Sequence, residues 1–573
     1  MSTVAQCIVS SLAHHGVTQV WGVVGDALNP VTDAIRTTDG IDWIGVRHEE
    51  AAAYAAGAQA QLTGRVGVCM GTVGPGAIHL LNGLYDAKKS HAPVLAVVGQ
   101  VPTPEVGTDY FQEVDNDKLF ADVAVWAHTL TSADQLPHAL EAGVNAAYEL
   151  GGVAVLTLPG DVGSLEMDDA VAIFSRPAPM AAPGPADVWS VADAIAESDK
   201  VTLLVGRGAA HARSQVVALA TALQAPMVVT VKGKPAFDGD NPFNVGQAGL
   251  LGNPAAASAL KDADLLLMVG TDFPYREYYP DDALVVQIDS RASHLGRRTR
   301  VDIPLVGDAA ATLDALLPLV AQRDDTSHLD SAVGELRSWR ERQAALADPG
   351  HDDEGLIRKA RSLFDNPEGR IRPEAVATAV DRAAPLDAVF TVDTGMSTVW
   401  LARFVEMRGD RELLGSFNLG SMANALPQAL GAAAADRTRR VISFSGDGGL
   451  MMLLGDLRTA VTYSLPIVVV VFDNARLGMV KLEQEEGGLP EFGTRLDNPD
   501  LAAVASAMGL ASRRVEDPDD VDEAVRWALA QEGPVLLDMV TNPDEVAVPP
   551  HPSVSQAWGF AVAKVQEALE SRA

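Results

Sequence analysis

Cysteine is nearly missing from this chain: Cys7 and Cys69 are the only two among 573 residues. Two thiols exclude a disulfide scaffold and a cysteine-ligated metal site, and they suit a reducing cytosol. Positive charge is also scarce. Lys and Arg total 43 against 76 Asp and Glu, a formal net charge of −33. Such a field repels phosphate backbones and anionic membranes, so no nucleic-acid partner is expected. No apolar run approaches the roughly 18 residues that cross a bilayer. Residues 1–16 lack a basic leader region and read as an amphipathic helix on Val4, Ile8, Val9 and Leu12, not as a signal peptide. Short-period repeats and low-complexity tracts are missing too.

What is present is a large apolar fraction, 47%, enough for several cores in a chain long enough for about three or four domains. Strand and helix patterns alternate throughout, which predicts an α/β protein built on parallel sheets. Two stretches break the alternation. One is an Ala/Pro/Gly segment with Pro177, Pro179, Pro183 and Pro185; the other, 323–370, is highly charged with a helical piece around 336–346. They divide the chain into domains at 1–175, 188–322 and 370–573, the first and third sharing a plan.

The most informative residues lie in the third domain. Gly446-Asp447-Gly448 closes the apolar run Val441, Ile442, Ser443, Phe444, and so falls at the carboxyl end of a predicted strand. Leu450, Met451, Leu454 and Leu457 then recur at helical spacing. A β-branched run from Pro466 to Phe472 reads as a second buried parallel strand, ending at Asp473-Asn474. One carboxylate and one amide oxygen are thus offered from two strand ends joined by a crossover. A small hard cation such as Mg²⁺ takes such oxygens, with a diphosphate completing its shell.

In the middle domain three apolar runs end in Gly206-Arg207-Gly208, Gly270 and Asp289. They read as successive parallel strands of a nucleotide-binding sheet, although Gly-Arg-Gly lacks the full dinucleotide fingerprint. In the first domain, Arg47-His48-Glu49-Glu50 precedes a small-residue helix. An acid there complements the helix dipole.

The Asp447/Asn474 pair, 27 residues apart, resembles the diphosphate motif of thiamine diphosphate enzymes. Together with 46–57, 74–86, 110–113, 270–275 and 414–431 it extends the likeness over nearly the whole chain. The branch it resembles is that of pyruvate oxidase and quinone-dependent pyruvate dehydrogenase, related to acetolactate synthase. The resemblance implies three doubly wound parallel-sheet domains: pyrimidine-binding, FAD-binding and Rossmann-like, and diphosphate-binding. It implies thiamine diphosphate, Mg²⁺ and FAD as cofactors.

By the same resemblance, Glu49 of a His-Glu-x-x-Ala pattern would exchange a proton with the aminopyrimidine ring, work that needs a carboxyl group in an apolar site. Gly420, Ser421 and Met422 would contact the cofactor, Met422 as the wedge that bends it. Gly446, Asp447, Gly448 and Asn474 would hold the diphosphate, with Asp447, Asn474 and Arg476 at the metal. FAD would lie against Ala248, Gly249, Leu250 and Leu251, the loop Thr271, Asp272, Phe273, Pro274 and Tyr275, and the strand-end Asp289. Phe111, Gln112, Met479 and Glu483 would complete the catalytic set.

The implied reaction is oxidative decarboxylation of pyruvate to acetate or acetyl phosphate and CO₂. It passes through a thiamine enamine, with electrons going to FAD and on to a quinone or oxygen. The alternative is an acetolactate synthase-type carboligase; a non-catalytic thiamine-binding protein is the third reading. Acetolactate synthases usually carry Gln-Trp-Gln after Gly-Met-Val, whereas this chain reads Gly478-Met479-Val480-Lys481-Leu482-Glu483-Gln484 without Trp. His79-Leu80 follows Gly74-Pro75-Gly76 as in the oxidases, while Met479 stands where familiar oxidases are aromatic. A homodimer or homotetramer is implied, with active sites at the dimer interface. Residues 567–573 show no basic-apolar tail, so no stable membrane anchor is expected. The expected location is cytoplasmic, with peripheral contact at the inner membrane face as a variant.

Overall fold

The computed structural model describes residues 1–177, 180–271, 273–348, 350–351, 366–545 and 562–563. Asp272, Pro179 and residues 567–573, singled out above, lie outside the described residues.

The apolar runs form strands because both of their faces are covered. All seven residues of Val94–Gln100 and of Ile467–Asp473 are buried, the pattern of a parallel sheet sandwiched by helices. In the first domain six strands lie in the order Asp42–Gly45, Gln19–Gly22, Gly67–Gly71, Val94–Gln100, Val153–Pro159, Ala124–Thr129. In the third the order is Glu412–Gly415, Val389–Val392, Val441–Gly446, Ile467–Asp473, Val535–Val540, Ala511–Val515. Counted within each domain both read 2-1-3-4-6-5, and every pairing is parallel. The middle sheet has five parallel strands in the order 2-1-3-4-5, from Val201–Val205 to Ile303–Val306. In such doubly wound sheets ligands settle beyond the carboxyl ends of the strands, where the strand order reverses.

The amino-terminal helix is Val4–His14, opened by a capping box at Thr3, with Val4, Ile8, Val9 and Leu12 buried. The charged connector contains a helix longer than its apolar spacing announces, Ser327–Leu346. After Gly-Asp-Gly the single expected helix is broken into Asp447–Met452, a 3-10 turn Leu454–Asp456, and Leu457–Thr462. The break has a cause. Asp456 accepts hydrogen bonds from the Arg47 main-chain N–H at 2.9 Å and from Thr459 Oγ1 at 2.7 Å, so the chain turns there to grip the first domain.

That grip is part of a wide seam. Helices Glu49–Thr63 and Ala425–Ala435 pack face to face, and one hydrophobic core, including Ala52, Ala55, Leu426 and Leu430, runs through both domains. Polar side chains pin the seam at its edges. Gln428 Nε2 donates to Asp86 Oδ2 at 3.0 Å, and the N–H of Gly45 donates to Tyr463 Oη at 2.7 Å.

Candidate active site

Three clusters gather the residues named from sequence. The first lies in the first domain at the start of helix Glu49–Thr63. His48 caps that helix by accepting the Glu50 N–H on Nδ1 at 3.2 Å. Glu49 is buried, and its Oε2 meets His79 Nδ1 at 2.9 Å. Glu50 turns elsewhere: its carboxylate takes Asn82 Nδ2, which also reaches Tyr54 Oη and Ser421 Oγ across the seam. The two neighbouring acids therefore have different partners, one facing His79 and one tied through Asn82 to the third domain. Gln112 belongs to the first cluster too. It holds a left-handed backbone (φ 65°) and lies so close to Gly74 that a Cβ there would meet the Gln112 carbonyl at 2.7 Å. Phe111 beside it is 79% exposed, a large ring held out from the fold.

The second cluster is a cavity of about 240 Å³ at the carboxyl ends of the third-domain strands. Gly420, Met422, Gly446, Asp447, Gly448 and Asn474 line it. So do Arg476, Met479 and Glu483, the last two one turn apart on helix Gly478–Glu486. Ser421 stands just outside, its hydroxyl tied to Asn82 and to the Met422 carbonyl. Ala423, after Met422, is left-handed at φ 66°, an uncommon conformation for a residue with a Cβ.

Electrostatics in this cavity ask for a cation. Asp447 is buried, and burial followed by the nearby Asp473 carboxylate pushes its carboxyl group up to about 7. Asn498 Nδ2 spans the pair, at 2.7 Å from Asp447 Oδ2 and 2.8 Å from Asp473 Oδ1. Asn474 Oδ1 accepts the Arg476 N–H at 3.0 Å. The Arg476 guanidinium is engaged with Glu491 at 3.4 Å and is itself cationic, so only its main-chain carbonyl suits a metal. A carboxylate, an amide oxygen and a carbonyl are hard donors of the kind Mg²⁺ takes, and the residues fit the ion.

Two polar residues here escaped the sequence reading. Asp393 follows strand Val389–Val392, is 1% exposed, and accepts the Ala425 N–H on Oδ1 at 2.9 Å. Burial raises its carboxyl group to about 7. Its Oδ2 packs on Gly449, where a Cβ would come within 2.5 Å. A strand-end Asp before Thr394-Gly395 was a readable signal. Asn498 had none, since it sits in a loop with no motif around it.

The third cluster is a cavity of about 1090 Å³ over the middle sheet, walled also by the other two domains. Ala248, Leu250 and Leu251 line it, as do Thr271, Phe273, Pro274, Tyr275 and Asp289. Gly249 packs against the Tyr275 and Phe273 rings. Asp289 Oδ1 accepts the Arg291 N–H at 2.9 Å and lies 3.4 Å from His294 Nδ1. Arg207, Lys232 and Arg291 supply positive charge to the same wall, against the acidic trend of the chain. A large cavity with cations, aromatic rings and a strand-end Asp fits an adenine dinucleotide.

The clusters are not all joined. Thr394, Gly395, Gly420 and Met479 line both cavities, so these two compartments share walls. Glu49, Phe111 and Gln112 line neither. Among the described residues no helix is long and apolar enough to cross a membrane.

Residues 2–119, 188–316 and 393–539 match, in turn, the N-terminal TPP binding domain, the central domain and the C-terminal TPP binding domain of thiamine pyrophosphate enzymes. A putative thiamine pyrophosphate-containing protein of Bacillus subtilis is 35% identical over 574 residues, covering 100% of this chain and 97% of that one. A pyruvate oxidase of Lactiplantibacillus plantarum is 33% identical, covering 94% and 88%. A probable acetolactate synthase large subunit of Methanocaldococcus jannaschii is 32% identical, covering 95% and 93%.

Proposed function

The chain belongs to the thiamine pyrophosphate enzymes, and on that premise we propose that it oxidatively decarboxylates pyruvate, passing two electrons to FAD. The observation that carries this reading is the shared wall: Thr394, Gly395, Gly420 and Met479 border both the diphosphate cavity and the large cavity over the middle sheet.

When bound, thiamine diphosphate supplies the electron sink for loss of CO₂ and the flavin a two-electron acceptor beside it. The rest falls to the chain. Asp447, Asn474 and the Arg476 carbonyl would hold Mg²⁺, which offsets the buried carboxylates Asp447 and Asp473 and anchors a diphosphate. Met422 would press on the cofactor from the apolar side. Glu49 would hold the exchangeable proton on its carboxyl oxygen in a site nearly closed to water. Met479 and Glu483, on one helix face, would border the substrate. Asp289 would accept from the adenosine ribose of FAD, with Arg207, Lys232 and Arg291 near its diphosphate.

Glu49 and the exposed Phe111 line neither cavity of their own chain. A homodimer resolves this, each copy lending Glu49, Phe111 and Gln112 to the diphosphate cavity of the other. Exclusion of a second 2-oxo acid is supported by residues 478–484, which contain no Trp. The carboligase is the competing reading, since synthase and oxidase relatives lie at similar identity.

Anaerobic mixing with pyruvate decides between them. Bleaching of a yellow flavin within one turnover, then acetate or acetyl phosphate on adding ferricyanide or a quinone analogue, supports the oxidase. Stoichiometric acetolactate with a flavin that stays yellow overturns it.

A further inference from the structure

Phe472 and Asn474 both line the diphosphate cavity, and Asp473 between them does not. Its carboxylate is occupied elsewhere. Oδ1 accepts Asn498 Nδ2 at 2.8 Å and the Ala475 N–H at 3.3 Å, and Oδ2 lies 3.5 Å from Arg514 Nη1. The same Nη1 donates to Asp538 Oδ2 at 2.6 Å, while Arg514 Nε donates to Glu516 at 2.8 Å. Strand register explains the grouping. Asp538 pairs with Val471 on one side and with Arg514 on the other. Residues two apart on a strand share a face, so Asp473, Asp538 and Arg514 stand together on one face of the third-domain sheet. Asp538 is fully buried and Asp473 nearly so. Two such carboxylates need a compensating cation, and the guanidinium supplies it from within the same chain.

Resting on the proposed Mg²⁺ site, we infer that Arg514 is a positioning residue for the metal: it holds Asp473 outside the cavity and thereby favours Mg²⁺ over Ca²⁺. Asp473 stands beside the proposed ligand Asp447, close enough for the single Asn498 amide nitrogen to reach both, at 2.8 Å and 2.7 Å. Freed from Arg514, its Oδ2 would be available as a second carboxylate ligand. That change is not neutral between ions. Ca²⁺ takes about six to eight oxygens in flexible geometry and accepts further carboxylates readily, whereas Mg²⁺ demands a near-ideal octahedron and keeps several waters. A site restricted to one carboxylate, an amide oxygen and a carbonyl suits the smaller ion. Arginine fits this task because its charge is permanent and its planar fork can face two carboxylates at once.

The test uses the metal-stripped full chain at fixed thiamine diphosphate, titrated with Mg²⁺ or Ca²⁺ in a calorimeter. The readout is the ratio of Ca²⁺ to Mg²⁺ affinity. Arg514→Gln should raise that ratio by about tenfold or more, the scale on which residues behind metal ligands act. A purely structural loss would weaken both ions together and leave the ratio unchanged. Adding Asp473→Asn to Arg514→Gln should abolish the gain, since the two residues act as one pair. An unchanged ratio in Arg514→Gln overturns the inference, as does a gain that survives Asp473→Asn. Asp473→Asn alone removes no ligand, so its ratio should stay within about twofold of the parent; a larger fall shows that Asp473 already coordinates and overturns the inference. That variant decides the matter if Arg514→Gln does not fold. A parent chain that takes up neither ion with thiamine diphosphate refutes the metal site itself, and the role of Arg514 with it.

Discussion

Gly431 lies directly against the main-chain carbonyl of Ala55, so close that a Cβ at 431 would stand 2.3 Å from its oxygen. This is a close approach in the seam between helices Glu49–Thr63 and Ala425–Ala435. The oxygen is backbone and cannot swing aside, so Gly431→Ala must push the helices apart. Overpacking of this kind costs about 1–3 kcal/mol. A lowered thermal midpoint is expected, with faster amide exchange in the middle of the Glu49–Thr63 helix, around Ala55. An unchanged melting curve would mean that the seam yields more easily than its packing indicates.

Asn498 holds Asp447 and Asp473 with one amide group. Asn498→Ala removes that bridge while leaving the proposed metal ligands in place. Supporting contacts of this type are worth about 10–100-fold in metal affinity, so the Mg²⁺ needed to half-saturate cofactor binding should rise by that factor. Titration of the metal-stripped protein with Mg²⁺ at fixed thiamine diphosphate measures it.

Asp289→Ala removes the strand-end carboxylate proposed to accept from the FAD ribose. A hydrogen bond to a charged group is worth about 1.5–3 kcal/mol, so flavin affinity should fall about tenfold to a hundredfold. Quenching of free FAD fluorescence during reconstitution gives the constant directly. Equal affinity in parent and variant would leave Asp289 with its local turn alone.

Asp86 carries a pH dependence with a definite sign. It is buried in the seam, and burial raises its carboxyl group from 3.8 to about 6 against the opposing contacts with Ser416, Lys232 and Gln428. Between those limits the unfolded chain has lost the proton and the folded one still holds it. Folding takes up a proton there, so this group makes stability decline as pH rises through the window and level off above about 6. Asp86→Asn lacks the term. Its thermal midpoint should match the parent near the acid end of the window and exceed it at neutral pH; a difference that does not vary with pH would reject this account.

Much of this was open to reading in one dimension. Alternating apolar runs specify parallel α/β domains, because a strand covered on both faces has no polar face to show, as Ile467–Asp473 does not. Gly446-Asp447-Gly448 and Asn474 could be paired on sequence since a strand, a crossover and a strand bring their ends side by side. Asn498 could not, because a loop residue's neighbours follow from the path of the chain and not from any period. The split between Glu49 and Glu50 shows the same limit. Adjacent in sequence and alike in chemistry, they point 100° apart on a helix, and only packing decides that one meets His79 and the other Asn82. The amino-acid sequence by itself determined the sheets, their repeated plan and the strand-end donors, all of which follow from local periodicity. The tertiary structure alone decided that the two cavities share a wall and that Glu49 lies outside both, since those are distances between residues hundreds of positions apart.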